Sequence, residues 1–149
     1  MKHLILTILT AVACTAASAQ SDKIVKWTFS SKKIADKTYE VHLTATISNT
    51  YHLYSQNPGN DGPLPTKFLF SNNPLAVASG KPKEVGKLIS IYDDAWKGKI
   101  RYFEKTVDFV QVVKIKAPTT ITGKIEFMVS NHKETEPPTE LPFSVKVGG

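Results

Sequence analysis

The sequence predicts an all-β chain folded as an antiparallel β-sandwich. Three observations lead there. Apolar residues recur with a period of two along most of the chain. The alternating runs are rich in Val, Ile, Thr, Phe and Tyr, and polar or Gly/Pro segments separate them. No stretch keeps a helical period for three turns, which leaves about seven short strands joined by turns.

The elements follow in order. Residues 26–30 alternate around Trp27 and Phe29. Residues 39–48 alternate longest, setting Tyr39, Val41, Leu43, Ala45 and Ile47 on one face. Residues 66–70 and 88–92 read as short strands and residues 106–115 as a long one. Residues 123–129 and 141–147 complete the set. Between them, residues 57–65 form a Pro/Gly loop, residues 71–74 and 117–118 are connectors, and residues 130–138 form a polar loop closed by Pro137-Pro138.

The amino terminus reads differently. Met1-Lys2-His3 precedes an apolar run over residues 4–13, and Ala17-Ser18-Ala19 is a small-x-small site. This is the pattern of a secretory signal peptide over residues 1–19, cleaved after Ala19. Lipidation at Cys14 is the alternative, but Ala11-Val12-Ala13 lacks the leucine that a lipoprotein signal carries. The apolar run falls short of the ~20 residues that a membrane span needs, and no later segment supplies one. Residues 20–149 suit one domain. Cys14 is the single cysteine, so the exported chain is expected to work without disulfide or thiolate chemistry.

Nineteen basic against 13 acidic side chains give a formal net charge of +6. The lysines are dispersed, which reads as a solvated basic surface and not as a nucleic-acid patch. The four histidines are His3, His42, His52 and His132. None pairs at a compact metal-ligand spacing, and neither a nucleophile elbow nor a phosphate-binding glycine loop occurs. No catalytic residue, metal or cofactor is therefore expected. Asp93-Asp94 reads as a turn.

Two segments are richer. Tyr51-His52-Leu53-Tyr54-Ser55-Gln56 combines aromatic and hydrogen-bonding side chains. It either lines a recognition surface, through Tyr51, His52, Tyr54 and Gln56, or packs the end of the sandwich. Tyr92-Asp93-Asp94-Ala95-Trp96-Lys97-Gly98 holds Trp96 in a polar loop, as an exposed contact or as a cap over a neighbouring loop.

Taken together, these segments resemble the N-terminal periplasmic domain of the thiol:disulfide interchange protein DsbD, the disulfide bond corrector domain. The resemblance is carried by Trp27, by residues 51–56, and by Gly62-Pro63-Leu64-Pro65-Thr66 leading into Phe68. Tyr102-Phe103-Glu104, Val107-Asp108-Phe109-Val110-Gln111, Phe127-Met128-Val129, Pro137-Pro138-Thr139 and Phe143 continue it to the end of the chain. It implies an immunoglobulin-like fold and a redox cysteine pair that passes electrons to periplasmic partners with a thioredoxin fold. It also implies a cap loop, here around Asp94 and Trp96, over that pair.

The departure from the family lies at the pair itself. The family reads roughly Val-Cys-Asn-Asp-x-x-Cys-x-Pro-Pro; this chain reads Val129-Ser130-Asn131-His132-Lys133-Glu134-Thr135-Glu136-Pro137-Pro138. Ser130 and Thr135 fall on the cysteine positions. A hydroxyl forms no mixed disulfide, so electron transfer is expected to be absent. The resemblance then implies a non-catalytic periplasmic module that binds thioredoxin-fold or other envelope proteins. Its docking end would comprise Tyr51, His52, Tyr54, Gln56, Trp96 and His132. A secreted structural or adhesive sandwich and a protein-disulfide reductase are the alternatives.

Overall fold

The computed structural model describes residues 23–59 and 61–149. The expected leader, its cleavage site and Cys14 lie outside the described residues. The first two strands, β1 (Val25–Ala35) and β2 (Thr38–Ile47), form a long hairpin. Its register runs from Val25 opposite Ile47 to Ala35 opposite Thr38, with an irregularity between Lys33 and Ala35. At the tip, Lys37 takes a left-handed φ of 50°.

After β3 (His52–Tyr54) and β4 (Lys67–Phe70) come the short strands β5 (Ala76–Ala78) and β6 (Lys83–Val85). A second hairpin joins β7 (Ile89–Asp93) to β8 (Gly98–Phe103). Then follow β9 (Thr106–Ile115), β10 (Thr119–Phe127), β11 (Val129–Ser130) and β12 (Thr139–Val147). The strands build three antiparallel sheets. One runs β1-β2-β9, with β5 and β6 sharing the far edge of β9; the second runs β12-β10-β4; the third, smaller one runs β11-β3-β8-β7.

The core follows from alternation. Val41, Leu43, Ala45 and Ile47 of β2 are buried, as are Val107, Phe109, Val113 and Ile115 of β9. Facing strands add Ile121, Ile125, Phe127, Phe143, Val145 and Val147. Phe109 sits where the three sheets meet. Its ring centroid lies 5.9 Å from Trp27, 4.9 Å from Phe68 and 6.3 Å from Phe103.

The all-β sandwich expected from the sequence is the fold observed, but its strands are more numerous and differently bounded. β1 continues to Ala35, beyond residue 30, because the hairpin with β2 carries the pairing past the apolar alternation. The strand expected at 123–129 is two strands. β10 begins at Thr119, and the chain crosses at Met128 from the second sheet into the third. Phe127, Met128, Val129 and Ser130 are all buried there, so no alternation marks the crossing. β3, β5, β6 and β11 are too short to show a period.

Candidate functional site

The third sheet carries a cleft at one end of the molecule. Leu53 of β3 faces the main core, whereas Tyr54 belongs to a second apolar cluster with Ile100, Tyr102 and Met128. Ile89 and Trp96 pack on that cluster from the β7–β8 hairpin. The cleft above it encloses about 300 Å³. One wall is this hairpin and the other is the loop from Ser130 to Thr135.

Both walls are held by local hydrogen bonds. In the hairpin turn, the Trp96 backbone N–H donates to Asp93 Oδ1 at 3.1 Å. In the opposite loop, Asn131 Oδ1 accepts from the N–H groups of Lys133 and Glu134, each at 2.8 Å. The Asn131 N–H in turn donates to the Glu134 carbonyl at 2.9 Å. The loop closes with Ser130 and Thr135 in an antiparallel bridge.

Across that bridge the Ser130 hydroxyl donates to Thr135 Oγ1 at 2.9 Å. Ser130 Oγ accepts from the Tyr54 hydroxyl, also at 2.9 Å. The Tyr54 oxygen lies 3.3 Å from His52 Nε2. The four groups form one chain: the His52 N–H donates to Tyr54, Tyr54 to Ser130, and Ser130 to Thr135. This direction requires the tautomer of His52 that carries its proton on Nε2.

Burial sets the protonation states. His52 stacks on Tyr102, with ring centroids 4.1 Å apart, and meets Tyr54 edge-on. Its pKa is pushed below the ordinary histidine value, chiefly by burial and further by His132; Glu104 and Asp93 oppose the shift. Burial likewise raises the Tyr54 phenol, partly offset by its hydrogen bond with Ser130. Burial, with Glu104 next, raises Tyr102. At neutral pH the floor of the cleft is thus uncharged.

A pH dependence follows. Below the ordinary histidine pKa of about 6.5, the unfolded chain takes up a proton that the folded His52 refuses. Folding stability should therefore decline as pH falls from ~7 to ~5, until the depressed folded-state pKa is passed. His52→Phe keeps a ring on Tyr102 and should flatten this decline. Urea midpoints at the two pH values, for wild type and variant, check it.

Of the sequence-predicted site residues, His52, Tyr54, Trp96, Ser130, His132 and Thr135 line this one cleft. Trp96 is half-buried against the cluster, so it caps more than it projects. The remaining three lie elsewhere. Tyr51 donates its hydroxyl to Glu134 Oε1 at 3.2 Å and lines a smaller neighbouring cleft beside His132. Gln56 turns away, donating from Nε2 to the Pro82 carbonyl at 2.8 Å, while its backbone N–H donates to Glu84. Asp94 is exposed in the turn, and its neighbour Asp93 makes the turn's hydrogen bond. Sequence reasoning did not single out Ile91, Ile100 and Tyr102, which also line the cleft. The alternation through Lys99-Ile100-Arg101-Tyr102 was the available signal.

The cleft offers aromatic faces and a run of hydroxyls. Among the described residues, no group of three His, Cys, Asp or Glu side chains is placed to hold a metal ion. The arrangement can hold a ligand by stacking, apolar contact and hydrogen bonds.

No family model matches the sequence, and no curated protein matches it. Solved structures do share its fold. The N-terminal domain of DsbD from Neisseria meningitidis, in the reduced form, superimposes with a TM-score of 0.56 at 15% identity, over 86% of this chain and 89% of that one. The N-terminal periplasmic domain of ScsB from Proteus mirabilis gives a TM-score of 0.50 at 10% identity. That match covers 81% of this chain but 44% of the ScsB chain. The described chain is thus an immunoglobulin-like β-sandwich with the fold of the DsbD N-terminal domain, a likeness that at these identities is one of fold.

Proposed function

We propose that this protein is an exported, periplasmic binding module on the DsbD N-terminal fold that engages thioredoxin-fold or other envelope proteins without transferring electrons. One observation carries the reading. The Ser130 and Thr135 hydroxyls face each other at 2.9 Å across a backbone bridge, in the cleft that Trp96 walls. On this reading they occupy the places of the family's cysteine pair. Thiol–disulfide exchange needs a thiolate to attack a sulfur, and neither hydroxyl can replace it. What the cleft retains is the recognition chemistry: His52, Tyr54, Trp96 and Tyr102 around an uncharged floor. The periplasmic setting of the ScsB domain supports the location.

The test is a calorimetric titration of residues 20–149 with a periplasmic thioredoxin-fold protein. Trp96→Ala should weaken binding roughly tenfold, as loss of a central aromatic contact does. Because Trp96 is only half-buried, Tm should fall by no more than ~5 °C. Insulin reduction by the wild-type chain should stay at background. Turnover above background, or a Trp96→Ala variant that binds unchanged, would sink the proposal.

A further inference from the structure

Sheet edges are guarded in most folded proteins by charge, proline, bulges or brevity, because unpaired backbone groups invite another strand. Most edges here are guarded in these ways. β1 carries Lys26, Lys32 and Lys33 and the irregularity before Ala35. β12 contains Pro142 and is tied to β1 by the Ser31 hydroxyl, which donates to the Lys146 carbonyl at 2.8 Å. β11 has two residues and β5 and β6 three each, while β4 is short and begins with Lys67.

The edge at β7 is different. It runs five residues, Ile89-Ser90-Ile91-Tyr92-Asp93, without proline, lysine or bulge. Among the described residues it pairs with β8 on one side and with no strand on the other. In an antiparallel pair, alternate residues turn their N–H and C=O groups away from the partner, so β7 presents such groups outward. Its apolar side chains are also bare: Ile91 is 42% exposed and Tyr92 65%, and Leu88, just before the strand, is 46% exposed.

The register shows what would fit there. Ile89 and Ile91 lie opposite Tyr102 and Ile100, giving one face of the hairpin an apolar strip. Ser90 and Tyr92 lie opposite Arg101 and Lys99, giving the other face a basic row. We infer that β7 is a docking edge that takes up an extended segment of a partner protein as an added strand, with apolar residues alternating with acidic ones. The backbone supplies affinity, the strip selects apolar side chains, and the basic row selects carboxylates. A second copy of this chain would set the same basic row against itself, in a chain of net charge +6, so charge favours the acidic partner. Ile91, Ile100 and Tyr102 also line the Ser130–Thr135 cleft, but the inference rests on the open edge of β7 and not on the hydroxyl pair.

The test uses two fluorescent peptides of about ten residues, one alternating valine with glutamate and the other valine with lysine, added to residues 20–149. The glutamate peptide should bind roughly tenfold more tightly. Its affinity should fall as ionic strength rises from about 0.05 to about 0.5 M. Hydrogen exchange should slow at β7 amides. Lys99→Glu, at an exposed position, should weaken binding roughly fivefold with an unchanged circular dichroism spectrum. Ile91→Lys, which adds the usual guard, should abolish it. Equal affinity for the two peptides would overturn the inference. So would protection confined to the loop around Asn131, or a concentration-dependent dimer formed through β7.

Discussion

Phe109→Ala is expected to cost ~3–5 kcal/mol of unfolding free energy, the usual range for deleting a fully buried aromatic ring. Domains of this size are stable by about 5–15 kcal/mol, so the variant should be close to unfolding at physiological temperature. The reason is position. Phe109 is 0% exposed and meets Trp27 from the first sheet, Phe68 from the second and Phe103 from the third. Neighbours held in three separate sheets cannot collapse together into the space left behind, so the cavity persists. Leu69→Ala is the control: its side chain is about half exposed on the edge strand β4, and it should cost under ~1 kcal/mol. Urea unfolding with unchanged m-values measures both. A loss below ~1 kcal/mol for Phe109→Ala would show that the sheets repack freely.

What the sequence revealed of the fold depended on strand length and on having one buried face. β2 buries one face against the core over ten residues, and β9 does so around a fully buried stretch at Phe109-Val110-Gln111, so their alternation was plain. β3, β5 and β6 span three residues each, too few to establish a period of two. The crossing at Met128 was hidden for another reason: four consecutive buried residues erase the contrast on which alternation depends. Local patterns report which face is buried, not which sheet a strand joins, so the division into three sheets was beyond them.

The candidate residues were grouped by a different route. His52, Tyr54, Trp96, Ser130, His132 and Thr135 lie up to 83 residues apart in sequence, and only their resemblance to a known arrangement grouped them; the structure places them around one cleft. Detail failed where neighbouring residues have similar chemistry. Asp93 and Asp94 are equivalent on paper, yet only Asp93 is placed to accept the Trp96 N–H. Gln56 lies two residues beyond β3, but Ser55 and Gln56 turn to the Glu84 carboxylate, which accepts the Ser55 hydroxyl at 2.8 Å and the Gln56 N–H at 2.8 Å. That attraction crosses 28 residues of chain, which no local reading weighs.

The double variant Ser130→Cys/Thr135→Cys is expected to bring thiol–disulfide chemistry to a chain that has none in this cleft. Residues opposed in an antiparallel bridge have Cα atoms about 4.5–5.5 Å apart, inside the ~4.4–6.8 Å window that disulfides span. The existing hydroxyl contact at 2.9 Å shows that the two side chains already point at each other. Oxidation should therefore close the bond with little backbone movement. Loop-closure entropy for a ring of this size predicts about 2 kcal/mol of stabilisation, removed by adding reductant. Against it stands the Tyr54 hydroxyl, which exchanges a serine acceptor for a weak sulfur one, at a cost of ~1 kcal/mol. The oxidised form should thus stand ~2 kcal/mol above its own reduced form, and a net ~1 kcal/mol above the wild type. Cys at either position alone should give no such redox-dependent shift. Thiol titration, urea midpoints with and without reductant, and insulin reduction read the outcome. Free thiols that persist under oxidant would mean that the bridge is not shaped for a disulfide. A pair that closes, and is then reduced by a thioredoxin-fold protein at a rate that Trp96→Ala slows, would tie the hairpin and the bridge to one docking event.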